Sequence, residues 1–145
     1  MKIIIGNDHN GYELKKELLK YLKNAEYYVS DAGSDNEESI DYPIIAKKVC
    51  AEVLEDDDNL GILICGTGIG MSIAANKIKG IRCAKVSTDQ EAALAKMHNN
   101  ANVMAISGRI DKNLAIKFVD NFINTPFSNE ERHARRNAII DSMIP

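Results

Sequence analysis

The sequence predicts an α/β sandwich, with a five-stranded parallel sheet covered by helices on both faces and a helix at the C-terminus. Three observations predict it. Short apolar runs alternate with helical periodicity from end to end, which is the pattern of repeated βα units. The runs are nearly continuous in apolar character, as strands covered on both sides must be. The length of 145 residues makes one domain, spanning residues 1–145, and is too short for two.

The first run, Lys2–Gly6, reads as a strand, and Tyr27–Asp31 as the second. Asp41-Tyr42-Pro43 then supplies an N-cap and an early proline ahead of Ala46, Val49 and Val53, which share one helical face. Glu55-Asp56-Asp57-Asp58-Asn59 is an acidic run, read as a solvated loop. It leads into the third strand, Leu60–Cys65, and Ile81–Val86 is the fourth. Thr88-x-x-Glu91 is a capping-box pattern that starts the fourth helix. Asn102–Ile106 is the fifth strand, and Leu114, Phe118 and Phe122 recur at helical spacing behind Asp111. Ser128-x-x-Glu131, a second capping-box pattern, opens the last helix.

Composition narrows the function classes. Apolar residues make up 45% and charged residues 27%, so the chain can bury a core without disulfides or a structural metal. The net charge of −3 offers nothing to a nucleic-acid backbone, and any bound anion must be held by a local cluster of cations. Cys50, Cys65 and Cys83 are odd in number and widely spaced, which argues against a disulfide framework. No apolar run has the length of a membrane span and no signal-peptide pattern is present. A reduced, cytoplasmic protein is expected, with no nucleic-acid or membrane partner.

Ligands of parallel α/β sheets bind at the carboxyl ends of the strands, which directs attention to Asn7–Gly11, Cys65–Gly70 and Ser107–Arg109. Cys65-Gly66-Thr67-Gly68-Ile69-Gly70 ends a strand and opens a helix, with three glycines that let backbone N–H groups approach an anion closely. Met71 stands where a dinucleotide fingerprint needs a small residue, and the Gly-Lys-Ser/Thr of a Walker A loop is absent. A receiver domain would place a phosphoacceptor Asp at Cys65. Cys65 stands between a strand end and the start of a helix, a position that suits a base or a nucleophile. Cys50 and Cys83 read as core residues. Asp8-His9 follows the first strand on the same sheet edge as Cys65. His98-Asn99 ends the fourth helix, where a His also has the option of simply stabilising the helix C-terminus. Arg132 and Arg136 stand four apart, the spacing of a two-pronged phosphate grip and also of a solvated helix face. With three His and none paired at ligand spacing, no metal site is expected.

Gly6-Asn7-Asp8-His9, Asp41-Tyr42-Pro43, Ile64–Gly70, His98-Asn99-Asn100-Ala101-Asn102 and Arg132-His133 together resemble the type B ribose 5-phosphate isomerase family, which also contains the galactose 6-phosphate isomerase subunits. The match is collinear and covers essentially the whole chain. It implies a doubly wound, three-layer Rossmann-like sandwich acting as a homodimer or homotetramer on a sugar phosphate, with no cofactor. It implies Cys65 as the base that takes a proton from the second carbon, with Thr67 beside it, and His98 as the acid that opens the furanose ring. Asp8, His9, Gly66, Thr67, Gly68, Ile69, Gly70, Asn99, Arg109, Arg132 and Arg136 resemble the family's substrate-binding positions. In the galactose branch the functional residues are divided between unlike subunits, whereas this chain keeps the full set, which favours ribose 5-phosphate. Asn7 and Asn10 depart from the family's smaller or apolar residues, and Asn24–Ser39 fits loosely outside Asp31 and Gly33; both bear on sugar preference.

The chemistry suits these residues on its own terms. Aldose–ketose isomerisation needs a base, an acid for ring opening and N–H donors for the developing oxyanion. Three alternatives stand beside it: an isomerase of a six-carbon sugar phosphate such as allose or galactose 6-phosphate, a non-catalytic binder of phosphorylated ligands, and a Cys-nucleophile phosphatase. The last would need Arg at position 71, which is Met71. Chain direction adds one more expectation. Cys65 ends the third strand, whereas His98 and Asn99 end a helix that has run back to the opposite sheet edge, so an active site that uses both must be shared between two chains.

Overall fold

Successive side chains of a strand leave the sheet on opposite faces, so an unbroken apolar run needs a helical layer on each side. The computed structural model, which describes residues 1–145, has that arrangement. Strands β1 (Ile3–Asn7) and β3 (Leu60–Cys65) are buried at every position. With β2 (Val29–Asp31), β4 (Cys83–Lys85) and β5 (Val103–Ser107) they form one all-parallel sheet in the order β2-β1-β3-β5-β4. The helices are α1 (Tyr12–Asn24), α2 (Tyr42–Val53), α3 (Ile69–Ala75), α4 (Asp89–Asn99), α5 (Lys112–Asn124) and α6 (Glu131–Ser142). Ile3, Ile5, Ile62, Ile64 and Ile106 join Leu18, Phe118 and Phe122 in one core layer under α1, α4 and α5. Ile4, Leu63, Val103 and Ala105 join Ile45, Val49 and Met71 in the other, under α2 and α3. Each fully buried side chain of this size contributes about 1.5–3 kcal/mol.

The expected strands are all present, with β2 and β4 shorter than their apolar runs. The order of the last two strands was not legible in the sequence. It puts β1, β3 and β5 side by side, and the chain reverses its winding between β1 and β3, the switch point where such folds bind ligands.

The predicted caps fare unevenly. Thr88 and Glu91 form the full capping box, each side chain taking the other's backbone N–H. Asp111 caps α5 through Asn113 and Leu114. Asp41 is the N-cap of α2 by position, although its side chain accepts no capping bond. The capping box expected at Ser128 does not form. Asn129 takes a left-handed conformation (φ 61), Ser128 Oγ accepts from Glu130 N–H instead, and Glu131 pairs with Arg135. The acidic run is solvated except at Asn59, whose buried amide ties Lys2 N–H to the carbonyl of Glu52. No helix is long and apolar enough to cross a membrane.

Candidate active site

The side-by-side placement of β1, β3 and β5 brings three loops together at their carboxyl ends. Asp8 N–H donates to the carbonyl of Ile64 (3.0 Å), and Gly108 N–H donates to the carbonyl of Cys65 (2.8 Å). Ser107 Oγ donates to the carbonyl of Gly66 (2.8 Å) and accepts from Arg109 N–H (3.1 Å). These bonds fix the Asp8–Gly11 turn, the glycine loop and the Ser107–Arg109 loop against one another.

Cys65 is the last residue of β3 and is 4% exposed. Its Sγ accepts the N–H of Gly68 at 3.2 Å, a bond that strengthens when the sulfur is a thiolate. Gly68 has φ +82, and a Cβ there would lie 3.0 Å from the carbonyl carbon of Ile106, so the loop turns tightly over β5. Thr67 Oγ1 accepts Ile69 N–H at 3.2 Å, while the N–H groups of Gly66 and Thr67 donate to no group of the chain. The loop thus presents unused donors beside the sulfur.

Asp8 is almost fully buried and its Oδ1 accepts Asn10 N–H at 2.9 Å. His9 lies between Ile40 N–H, 3.5 Å from Nδ1, and the Asn10 amide, 3.4 Å from Nε2. The Arg109 guanidinium and the Asn10 amide flank Gly66, at 3.5 and 3.4 Å from where a Cβ on it would stand. Tyr42 also belongs here, since a Cβ on Gly70 would lie 2.5 Å from its ring. The sequence places it in the helix-start motif and in one of the segments that resemble the family, but only the fold shows what it stands against. The other two cysteines are structural. Burial pushes the Cys50 thiol up to about 12 and the Cys83 thiol higher still.

The remaining candidates form a second group at the opposite edge of the sheet. His98 and Asn99 end α4, and α6 is latched onto them. Asn137 Nδ2 donates to the carbonyl of His98 (3.0 Å), and Asn99 Nδ2 donates to Asn137 Oδ1 (3.1 Å). The rings of His98 and His133 stack with centroids 4.4 Å apart and 13° between planes. Arg132 and Arg136 extend from the same helix, Arg132 bonded to Glu130 (3.1 Å) and both exposed. Burial first, then the neighbouring His98 and Arg132, lowers the pKa of His133. The two groups stay apart within one chain. Cys65 pairs with Ser107 at the far end of β5, whereas His98 lies before its first residue, Val103. Five strand residues span roughly 17 Å, beyond the reach of a His side chain.

The chain matches the Ribose/Galactose Isomerase family model over residues 3–140. It belongs to that family. The ribose-5-P isomerase B of Listeria innocua is 43% identical over 136 residues, which covers 93% of this chain and 92% of that protein. Solved structures agree in fold. The ribose 5-phosphate isomerase of Thermotoga maritima superposes with a TM-score of 0.94 at 47% identity, covering 97% of each chain. The ribose-5-phosphate isomerase B of Mycoplasma genitalium, solved with bound ribulose-5-phosphate, superposes with a TM-score of 0.93 at 41% identity, covering 98% of this chain and 95% of that one.

Proposed function

We propose that the protein interconverts ribose 5-phosphate and ribulose 5-phosphate through an enediolate, in a site shared by two copies of the chain. The substrate reading rests on the Mycoplasma genitalium relative and its bound ribulose-5-phosphate. The mechanistic reading rests on one observation: a sulfur at a strand end, bonded to Gly68 N–H, beside the unused N–H groups of Gly66 and Thr67.

In this reading the His98 imidazole of the second copy donates a proton to the ring oxygen as the 1-hydroxyl gives up its own to solvent water, which opens the furanose to the aldehyde. The Cys65 thiolate then takes the proton from the second carbon. The electron pair moves into the bond between the first and second carbons, and the aldehyde oxygen becomes an oxyanion held by the loop N–H groups, with Thr67 beside it. A proton moves from the second oxygen to the first, and the thiol returns its proton to the first carbon, leaving a ketone at the second. Asp8, His9 and Arg109 position the sugar from the first copy. Arg132 and Arg136 of the second copy, with Asn99, hold the phosphate remote from the reacting carbons and so fix the orientation. No step needs a cofactor. The test is turnover of purified protein with ribose 5-phosphate, allose 6-phosphate and galactose 6-phosphate, without added metal. Preference for ribose 5-phosphate is expected. Preference for a six-carbon substrate would overturn the substrate assignment while leaving the reaction class in place.

A further inference from the structure

The second group of site residues is organised around a side chain that none of the foregoing uses. Arg82 lies just before β4, 19% exposed, and its guanidinium is spent on two other elements. Nε donates to the carbonyl of Asn99 at 2.8 Å and Nη2 to the carbonyl of Asn100 at 3.0 Å. Nη1 donates to both carboxylate oxygens of Asp141 on α6, each at 2.8 Å. The last carbonyls of a helix have no partner within it, and here a cation satisfies two of them. Asn100 is in the left-handed conformation (φ 43), so the chain turns sharply where the guanidinium grips it. Asn137 takes the preceding carbonyl, that of His98. Three consecutive carbonyls at the end of α4 are therefore anchored, two by Arg82 and one by α6, and α6 is itself tied to Arg82 through Asp141.

We propose that Arg82 is a positioning residue for ring opening: it holds the backbone of His98-Asn99-Asn100 at a fixed distance from α6 and so sets the geometry between the acid and the phosphate-binding arginines. This rests on the role given to His98 above. Lysine lacks the planar fork that reaches two carbonyls and a carboxylate at once, so it replaces arginine here only in part. Displacing an acid by about 1 Å costs up to about a hundredfold in rate.

The experiment separates ring opening from proton transfer. Turnover of ribose 5-phosphate requires both. Ribulose 5-phosphate has no free 5-hydroxyl and is open-chained, so exchange of its C1 hydrogen with D2O, followed by NMR, reports proton transfer by Cys65 alone. Arg82→Met is expected to lower turnover of ribose 5-phosphate at least about tenfold at saturation while exchange stays within about twofold of the parent. Arg82→Lys should fall between the two. Asp141→Ala, which leaves the grip on the carbonyls and removes only the anchor on α6, keeps the test open if Arg82→Met does not fold, and should show the same imbalance at smaller size. Equal loss in both assays, or loss in neither, overturns the proposal. His98→Ala is the reference: if it leaves the balance unchanged, the assignment of His98 fails, and if only the Arg82 and Asp141 variants leave it unchanged, the positioning role fails alone.

Discussion

Gly68 couples the fold to the chemistry, and Gly68→Ala separates two costs that the structure makes distinct. At φ +82 a non-glycine residue is strained by about 1–2 kcal/mol. The new methyl would also meet the Ile106 backbone, with its nitrogen and Cα at 3.2 Å and its carbonyl carbon at 3.0 Å, and that strand is held between β3 and β4 and cannot give way. The strain alone corresponds to a Tm lower by about 3–6 °C for a chain of this size, and the contact with Ile106 lowers it further. The same strain moves the N–H that meets the Cys65 sulfur, so turnover should fall further than stability, on the order of tenfold to a hundredfold. Gly70→Ala is the control. Its methyl would meet the Tyr42 ring, but Tyr42 is 37% exposed and free to swing outward, so little stability should be lost. Chemical denaturation and steady-state assay of both variants check this. A Gly68→Ala protein with parental stability and turnover, or a Gly70→Ala protein that is the less stable of the two, would refute the reasoning.

Other consequences are quickly stated. Cys65→Ala should abolish turnover while the protein remains folded by circular dichroism; retention of most activity would sink the assigned base. Cys50→Ala should cost on the order of 1 kcal/mol through lost packing, and native Cys50 should resist iodoacetamide because burial holds it as the thiol, with a pKa of about 12. Asp31→Ala should cost more, about 2–4 kcal/mol by urea titration, because it strips the ion pair (3.2 Å) from a Lys15 that is 2% exposed. Arg136→Ala should raise KM for the phosphorylated sugar and leave a dephosphorylated analogue unaffected, and turnover should survive exhaustive chelation. Finally, the folded-state pKa of His133 lies below its unfolded value of 6.5, so the unfolded chain binds the proton first as pH falls. Stability should therefore decline below about pH 6.5, and His133→Asn should flatten that decline.

The sheet was legible because its signal is local. Five apolar runs became five strands, and Thr88-x-x-Glu91 carries its own hydrogen-bond partners within four residues. The geometry of the glycine loop was legible for the same reason, since Cys65 and Gly68, whose N–H meets its sulfur, are neighbours in sequence. What was illegible depends on distance along the chain. No local pattern states that β5 lies between β3 and β4, and without that order the approach of Arg109 to Gly66 has no basis. Arg82 was absorbed into an apolar strand run, and its partners at Asn99 and Asp141 are 17 and 59 residues away. Ser128-x-x-Glu131 shows the converse, a local pattern overridden when Asn129 turned left-handed and Arg135 claimed the glutamate.

Cys65 and His98 stand at opposite edges of one sheet, and a single chain cannot join them. Cys65→Ala and His98→Ala should each be inactive alone. When the two are mixed and allowed to exchange subunits, each mixed dimer carries one site with both defects and one site with neither, by the reciprocity of a two-fold interface. Random exchange makes half of the dimers mixed, so activity should return to about one quarter of the parent. Continued inactivity after exchange has been demonstrated by mass spectrometry would place both residues in the site of one chain and contradict the account.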